Sequence, residues 1–464
     1  MRAIRNIRTR CTDDATDRSL APGAHLPGRK LVTGRRLGRS AGVAVAAAAA
    51  LLAAACTGSS PTQIKPAANA KAAAKAKART ATGPDVTITP ANDARNADPS
   101  AGITVTAAKG TLKNVVVHTS GGAVSGSLTQ GGTVWHSQWA LNVSQTYTVT
   151  ATASGRGGTT TTKTSTFRTL TPSQTFRTMI IEGASETYGV GIPILLEFSQ
   201  RITDKAAVER ALQVTTSKPV VGAWYWDDQC GLSPTCAYFR PRDYWPVGTT
   251  VSFTGHLNGV RGAPGMYGYH TLTQTFSIGP SLIAIGNTFT HRTQIYYDGR
   301  LRYDWPISSG RPGDDTPNGS YLTIEKENPV EMKGPGYDLL VPYSVRFTWS
   351  GDYYHDAYWS VGEQGFQNVS HGCVNLSPAD AQTYYNLAVP GDPITIKGSP
   401  KGGTWDNGWT MWFLSWPQYL KGSALHEAVE AGPNGSTFVS PASLPPSTAR
   451  APLQTAPNNN SAAS

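Results

Sequence analysis

The chain has 464 residues, only 15% of them charged, with 48 Gly, 32 Pro and a formal net charge of +10. This length suits about three domains, and a Gly- and Pro-rich chain favours short strands and turns over a helical bundle. The basic balance suits anionic surroundings, but Lys and Arg are dispersed rather than clustered on one predicted helix, so no nucleic-acid partner is expected.

Residues 1–55 resemble an export signal. A basic stretch precedes the apolar run "AGVAVAAAAALLAAAC", which ends at Cys56 and is too short and Ala-rich for a typical membrane-spanning helix. The alternative is a retained anchor. "AAAC" followed by "TGSS" resembles a bacterial lipobox, which predicts lipidation at Cys56. We therefore expect an exported protein that is lipid-anchored at the outer face of the cytoplasmic membrane or lies in the cell wall. Residues 56–83 read as a polar linker.

Two all-β domains are predicted next, at 84–170 and 171–279. In "TYTVTATA", Tyr147, Val149, Ala151 and Ala153 share one face, and the intervening Thr residues share the other. Gly-Gly pairs between such segments mark turns. Short alternating strands at this spacing predict immunoglobulin-like sandwiches.

Residues 280–398 predict a third, β-rich domain with one short helix. Ser377 can cap that helix, Pro378 suits its first turn, and Asp380 suits the positive end of its dipole. A Trp-rich extension is expected at 399–425. The remaining residues, 426–464, lack periodicity and are predicted to be a disordered tail.

The five cysteines leave one thiol without a partner. Cys11 lies in the export signal and Cys56 at its end, while Cys230 and Cys236 bracket a tight loop and can form a disulfide in an oxidising compartment. Cys373, in the stretch "NVSHGCVNLS", remains unpaired.

A thiol is a nucleophile only as the thiolate, so Cys373 needs a neighbouring base. His371 lies two residues upstream and His355 eighteen residues upstream, while Gly372 lets the backbone turn sharply. A Cys–His acyl-transfer site is the leading interpretation. Two alternatives remain open on the residues alone: Cys373 is a buried core thiol, or His355, His371 and Cys373 bind zinc.

His355, a fourteen-residue interval and then "SHGCVN" at 370–375 resemble the signature of the bacterial L,D-transpeptidases. The predicted order of domains is also similar to that of actinobacterial multidomain members. The resemblance implies a mainly β protein, with two immunoglobulin-like β-sandwich domains, a β-rich catalytic domain with one short helix, and a Trp-rich C-terminal extension. It covers nearly everything from residue 56 to about residue 425, and no cofactor is expected.

The resemblance also implies roles for single residues. Cys373 would attack the peptide bond of a tetrapeptide stem and expel its terminal D-alanine, and His355 would be the base. The backbone carbonyl of Asp356, where the family often has Ser, would orient the imidazole. Backbone N–H groups of Gly372 and Cys373 would form the oxyanion hole. The expected substrate-binding residues are Tyr337, in a flap, together with Ser370, His371 and Asn375, each of which could instead make only local turn hydrogen bonds.

The function implied is a peptidoglycan L,D-transpeptidase that joins two stem peptides, donor and acceptor, in a 3→3 cross-link. Two alternatives stand beside it. One is an L,D-carboxypeptidase or cross-link hydrolase that uses the same Cys–His pair with water as acceptor. The other is a catalytically idle wall-binding scaffold, which the intact pairing of His355 with Cys373 disfavours.

Overall fold

The computed structural model describes residues 83–231, 233–334 and 337–447. The predicted export signal, the lipidation site at Cys56, nearly all of the linker and the end of the tail lie outside the described residues. No helix in the described part of the chain is long and apolar enough to cross a membrane.

The first domain is a sandwich of a four-stranded sheet (β1-β2-β5-β4) and a three-stranded sheet (β3-β6-β7). As predicted, Tyr147, Val149, Ala151 and Ala153 of β6 are buried between the sheets. The strands are β1 Asp85–Thr89, β2 Thr104–Ala108, β3 Gly110–His118, β4 Gly126–Thr129, β5 Val134–Ser137, β6 Thr146–Gly155 and β7 Thr160–Arg168.

The second domain packs a four-stranded sheet (β10-β18-β15-β12) and a six-stranded sheet (β31-β30-β13-β14-β11-β9) around buried aromatic residues such as Trp224 and Phe253. Its elements are β8 Gln174–Phe176, β9 Thr178–Ile180, β10 Thr187–Tyr188, β11 Ile194–Phe198, α1 Lys205–Glu209, β12 Leu212–Thr216, β13 Val220–Asp227, β14 Thr235–Pro241, β15 Thr250–Gly255, β16 Arg261–Ala263, β17 Met266–Gly268, β18 Leu272–Ile278, β30 Ala428–Gly432 and β31 Gly435–Val439. A disulfide joins Cys230 to Cys236.

The prediction of a disordered tail from residue 426 is wrong for its first part. Strands β30 and β31 form a hairpin, and β30 pairs antiparallel with β13, Val220 opposite Ala431. Ala428 and Val429 are buried in the second domain. The segment has too few apolar residues to predict a strand by itself, but β13 supplies an edge whose backbone groups it can bond.

The third domain contains a five-stranded sheet (β21-β20-β19-β29-β22), a four-stranded sheet (β23-β26-β27-β28) and a separate hairpin (β24-β25). Its elements are β19 Leu282–Asn287, β20 Arg292–Tyr297, β21 Arg300–Pro306, β22 Gly319–Leu322, β23 Glu325–Glu327, β24 Val330–Gly334, β25 Tyr337–Val341, β26 Ser344–Arg346, β27 Tyr353–Asp356, β28 Val374–Leu376, α2 Pro378–Leu387 and β29 Pro393–Lys397. The predicted helix is α2, and Ser377 caps it by accepting from the Asp380 N–H.

The Trp-rich extension packs mainly on the second domain and contains the short helix α3, Trp416–Leu420. Arg240, which is 2% exposed, lies beneath it: its guanidinium carbon is 4.2 Å from the Trp412 ring centre and 4.3 Å from that of Tyr419. The same guanidinium donates to the Leu414 carbonyl at 2.9 Å. A buried cation between aromatic faces therefore fastens the extension to the domain.

Replacing Arg240 with Met should weaken this attachment, because the cation–π contacts and the bond to Leu414 are lost while much of the side-chain volume stays. We expect the free energy of unfolding to fall by about 2 kcal/mol, measured as a lower melting temperature. The control is Arg210→Met at an exposed position of the same domain. Equal melting temperatures for the two variants would contradict the prediction.

Candidate active site

Two neighbouring strands bring the predicted nucleophile and base into one region. Strand β27 carries His355, and β28, which begins directly after Cys373, pairs with β27 in parallel, His355 opposite Asn375. The Sγ atom of Cys373 lies 3.6 Å from the carbonyl oxygen of Gly351, just before β27. The register of this pairing therefore sets the thiol beside the strand of the imidazole.

The His355 imidazole is held by one hydrogen bond. Its Nδ1 lies 2.7 Å from the Asp356 carbonyl oxygen, which can only accept, so Nδ1 carries the hydrogen. The other ring nitrogen, Nε2, is then unprotonated in the neutral ring and can act as a base. The side chain is 4% exposed, and burial lowers the pKa of His355 to about 4. This is the orienting carbonyl that the resemblance implied.

The Cys373 thiol is protonated at rest. Burial raises its pKa to about 12; the Asp352 carboxylate adds to this rise, and the Tyr353 backbone N–H opposes it. Desolvation of the buried imidazole and of the partly buried thiol disfavours the ion pair and favours the neutral form of each group.

The turn before Cys373 is fixed by two hydroxyl groups. Ser370 Oγ accepts from the Gly372 N–H at 3.1 Å and donates to the Cys373 carbonyl at 2.6 Å. Thr316 Oγ1 donates to the Gly372 carbonyl at 2.6 Å. Gly372 has φ 129°, and a Cβ there would lie 2.4 Å from Asp352 Oδ1, so only glycine fits.

This turn changes the expected oxyanion hole. The Gly372 N–H, predicted as one of its donors, already bonds Ser370 Oγ. The N–H of Cys373 itself remains as the predicted donor.

Tyr337 and His371 lie together at the mouth of the site. Tyr337 opens strand β25 of the separate hairpin, and its ring centre is 4.9 Å from that of the exposed His371. Burial raises the pKa of Tyr337, and the nearby Cys373 and Asp314 add to the rise. The predicted flap tyrosine is thus brought close to the thiol.

Asn375 and the Asp356 carboxylate face inward. Asn375 is 3% exposed, and its Nδ2 donates to Ser360 Oγ at 2.8 Å. This hydrogen bond ties Asn375 to Ser360, and its role in substrate binding stays a prediction. Burial raises the pKa of the Asp356 carboxyl, whose Oδ1 has no hydrogen-bond partner within the described residues.

Three polar residues of the site region were missed from the sequence. Asp352 and Thr316 contact the turn at Gly372, and Asn368 Oδ1 accepts from both Ser309 N and Ser309 Oγ, at 3.0 and 2.7 Å. Of these, only Asn368 lies in the motif stretch. The contacts of the other two arise between segments distant in sequence and have no local signal.

The zinc alternative lacks its ligands. Across the described ranges, no three His, Cys, Asp or Glu side chains come close enough to hold a metal ion. The core-thiol alternative is also weakened, because Cys373 is only partly buried by solvent accessibility.

Two known domain families match this chain. The bacterial Ig domain family matches residues 94–261, and the L,D-transpeptidase catalytic domain family matches residues 283–396. The chain is 32% identical over 362 residues to L,D-transpeptidase 5 of Mycobacterium tuberculosis, covering 75% of this chain and 78% of the relative. This chain belongs to the L,D-transpeptidase family.

Other relatives agree. L,D-transpeptidase 2 of Mycobacterium tuberculosis is 31% identical to this chain over 354 residues. The match covers 74% of this chain and 85% of the relative. A solved structure of the L,D-transpeptidase LdtMt1 in complex with imipenem is 33% identical and covers 49% of this chain and all of its own, with a TM-score of 0.41. The predicted family and fold class are confirmed.

The neutral Cys–His pair predicts an unusual pH profile for acylation of Cys373 by a β-lactam used as an acylating probe. Between the pKa of His355, about 4, and that of Cys373, about 12, neither partner changes protonation. The rate should vary less than about threefold over roughly pH 5.5–8.5 and fall about tenfold per unit below the His355 pKa. The measurement is loss of β-lactam absorbance under single-turnover conditions. A rate that rises about tenfold per unit across this range would instead indicate that the reactive species is a thiolate formed by loss of the proton to solvent, without help from the base.

The Ser370 hydroxyl should matter through the turn rather than through stability. In Ser370→Ala the Cys373 carbonyl and the Gly372 N–H both lose their partner, so the thiol shifts. We expect acylation to slow by roughly 10²-fold with a melting temperature close to wild type. Ser370→Thr keeps the hydroxyl and is the matched control. An equal loss of acylation rate in both variants would show that the hydroxyl group does not determine the rate.

Proposed function

We propose that this L,D-transpeptidase uses Cys373 as its nucleophile and His355 as its base to form 3→3 cross-links between peptidoglycan stem peptides. The observation that carries the proposal is the hydrogen bond from His355 Nδ1 to the Asp356 carbonyl, beside the strand that follows Cys373. It leaves Nε2 unprotonated, and so available as a base, on the strand that pairs with the one following Cys373.

The first half of the reaction forms an acyl-enzyme. Sγ attacks the carbonyl carbon of meso-diaminopimelate, which forms the peptide bond to the terminal D-alanine. As it attacks, the Cys373 proton passes to His355 Nε2. The new C–S bond forms, and the C–N bond to the terminal D-alanine breaks. His355 then gives its proton to the departing amine. The carbonyl oxygen, negative in the tetrahedral stage, accepts from the Cys373 N–H.

The second half transfers the acyl group to the side-chain amine of another stem. The amine nitrogen attacks the thioester carbon, the C–S bond breaks, and His355 returns the amine proton to Sγ. Tyr337 and His371, in contact at the mouth of the site, support a flap that covers the bound donor. If water were the acceptor instead, the same steps would make the enzyme a carboxypeptidase or cross-link hydrolase.

The export signal, lipidation at Cys56 and a position at the outer membrane face or in the wall belong to the same proposal. Their support is the basic stretch and the apolar run that ends at Cys56. Expression of the full chain and of Cys56→Ala, followed by detergent partition, tests them. A lipidated protein enters the detergent phase, and the variant does not. If both proteins behave alike, the lipid is absent.

The nucleophile is tested by mass spectrometry of the intact protein after exposure to imipenem. We expect a single covalent adduct on wild-type protein that maps to Cys373 and is absent from Cys373→Ala. His355→Gln should slow adduct formation by about 10²–10⁴-fold, because the base is lost. An adduct that persists in Cys373→Ala would rule out this nucleophile.

The product is tested with a disaccharide-tetrapeptide as both donor and acceptor. Cross-linked dimers and free D-alanine are expected, with the same yield in excess chelator. D-alanine release without dimers at ample acceptor concentration would show that the enzyme is a hydrolase.

A further inference from the structure

Asp352 is a buried carboxylate next to the nucleophile. It is 9% exposed and lies three residues before His355, at the start of the strand that carries the base. Its Oδ2 accepts from Thr348 Oγ1 at 2.6 Å and from Ser350 Oγ at 3.0 Å. Two neutral hydroxyls therefore fix the orientation of the group without neutralising its charge.

The second oxygen of this carboxylate faces the turn that carries the thiol. A Cβ at Gly372 would lie 2.4 Å from Asp352 Oδ1, so this oxygen rests against the backbone immediately before Cys373. Both hydroxyl hydrogen bonds recorded for this carboxylate among the described residues go to Oδ2. The turn and the carboxylate fit each other only because residue 372 lacks a side chain.

Asp352 has no cationic partner among the described residues. In the described part of the chain, no Lys, Arg or His nitrogen lies within ion-pair distance of it. The other acid near the turn, Asp314, differs in this respect, because Arg311 pairs with it at 2.8 Å. A buried carboxylate without a counter-ion is costly, and one that borders a reaction centre is a site for a cationic ligand.

The charge of Asp352 does not help the thiol to ionise, because a carboxylate beside Cys373 disfavours the thiolate. In the second half of the reaction, the same negative charge is favourable, because it attracts a cationic acceptor. An acceptor amine arrives as an ammonium ion, and its nitrogen becomes positive again as it attacks the acyl carbon. Water arrives without charge.

We propose, on the basis of the function proposed above, that Asp352 is a specificity-determining residue: its carboxylate holds the cationic acceptor beside the acyl-enzyme and so favours transfer to an amine over hydrolysis. The acceptor class is a primary amine on an aliphatic side chain. A neutral acceptor gains nothing from this carboxylate.

The transfer step moves two protons from the acceptor. The ammonium ion, R–NH₃⁺, loses one proton to bulk water and attacks as R–NH₂. The C–N bond forms, the C–S bond breaks, and Sγ takes the electron pair. The second amine proton moves to His355 Nε2 and then to Sγ. The thiol and the neutral imidazole are restored, and Asp352 takes no part in the proton transfers.

In separate incubations, the acyl-enzyme receives one of two acceptors, each in competition with water. Wild type and Asp352→Asn are incubated with a tetrapeptide donor and either glycinamide, which is cationic, or methanol, which is uncharged. Mass spectrometry counts amide, ester and hydrolysed tripeptide. In Asp352→Asn the amide-to-tripeptide ratio should fall at least about tenfold, while the ester-to-tripeptide ratio stays unchanged. Asp304→Asn, at a partly exposed ion pair on β21, controls for loss of one negative charge.

Two results would overturn the proposal: both ratios unchanged, or both lowered equally, which is the pattern of a merely structural residue. Absence of any acyl-enzyme in the wild type would instead refute the proposed function. Should Asp352→Asn not fold, Asp352→Ser provides the test, because it removes the charge and keeps a small polar side chain. Its amide-to-tripeptide ratio should fall at least about tenfold relative to wild type, with the ester-to-tripeptide ratio unchanged. An unchanged amide-to-tripeptide ratio would then refute the proposal.

Discussion

The parallel pairing of β27 with β28 is the constraint on which the site depends. The two strands come from one stretch of chain, and the loop between them returns so that both run in the same direction with His355 opposite Asn375. Cys373 precedes β28 directly, so its position follows from this register. A slip by one residue would turn the side chains on one strand to the opposite face of the sheet. The inward bonds of Asn375 to Ser360, and of its backbone to Ser308, hold the register in place.

Burial gives this site a particular chemistry. In the proposed reaction, burial favours the neutral forms of Cys373 and His355, so the thiol becomes a nucleophile only as its proton moves to His355. A free thiol in an oxidising environment is open to oxidation in proportion to its thiolate character. The raised pKa of Cys373 therefore lowers the fraction of thiolate that an oxidant can attack.

Much of the fold and the centre of the site could be predicted from the sequence, because they depend on local signals. The alternation in β6, the cap at Ser377 and the motif around Cys373 are all readable within a few residues. Asp352, Thr316 and the β30–β31 hairpin were not predictable, because their roles come from contacts with segments far along the chain. The same holds for the thiol: its burial, and hence its resting proton, depends on packing that composition does not reveal.

The C-terminal hairpin changes what counts as the second domain. The last strand of this sandwich before the catalytic domain is β18. After the catalytic domain, the aromatic extension packs over Arg240, and β30 and β31 then complete the six-stranded sheet. The catalytic unit is thus an insertion with two covalent connections to its support instead of a body on a single tether. Truncation before β30 would leave the ladder of β13 open to a foreign strand, so shortened forms are candidates for self-association through that bare edge.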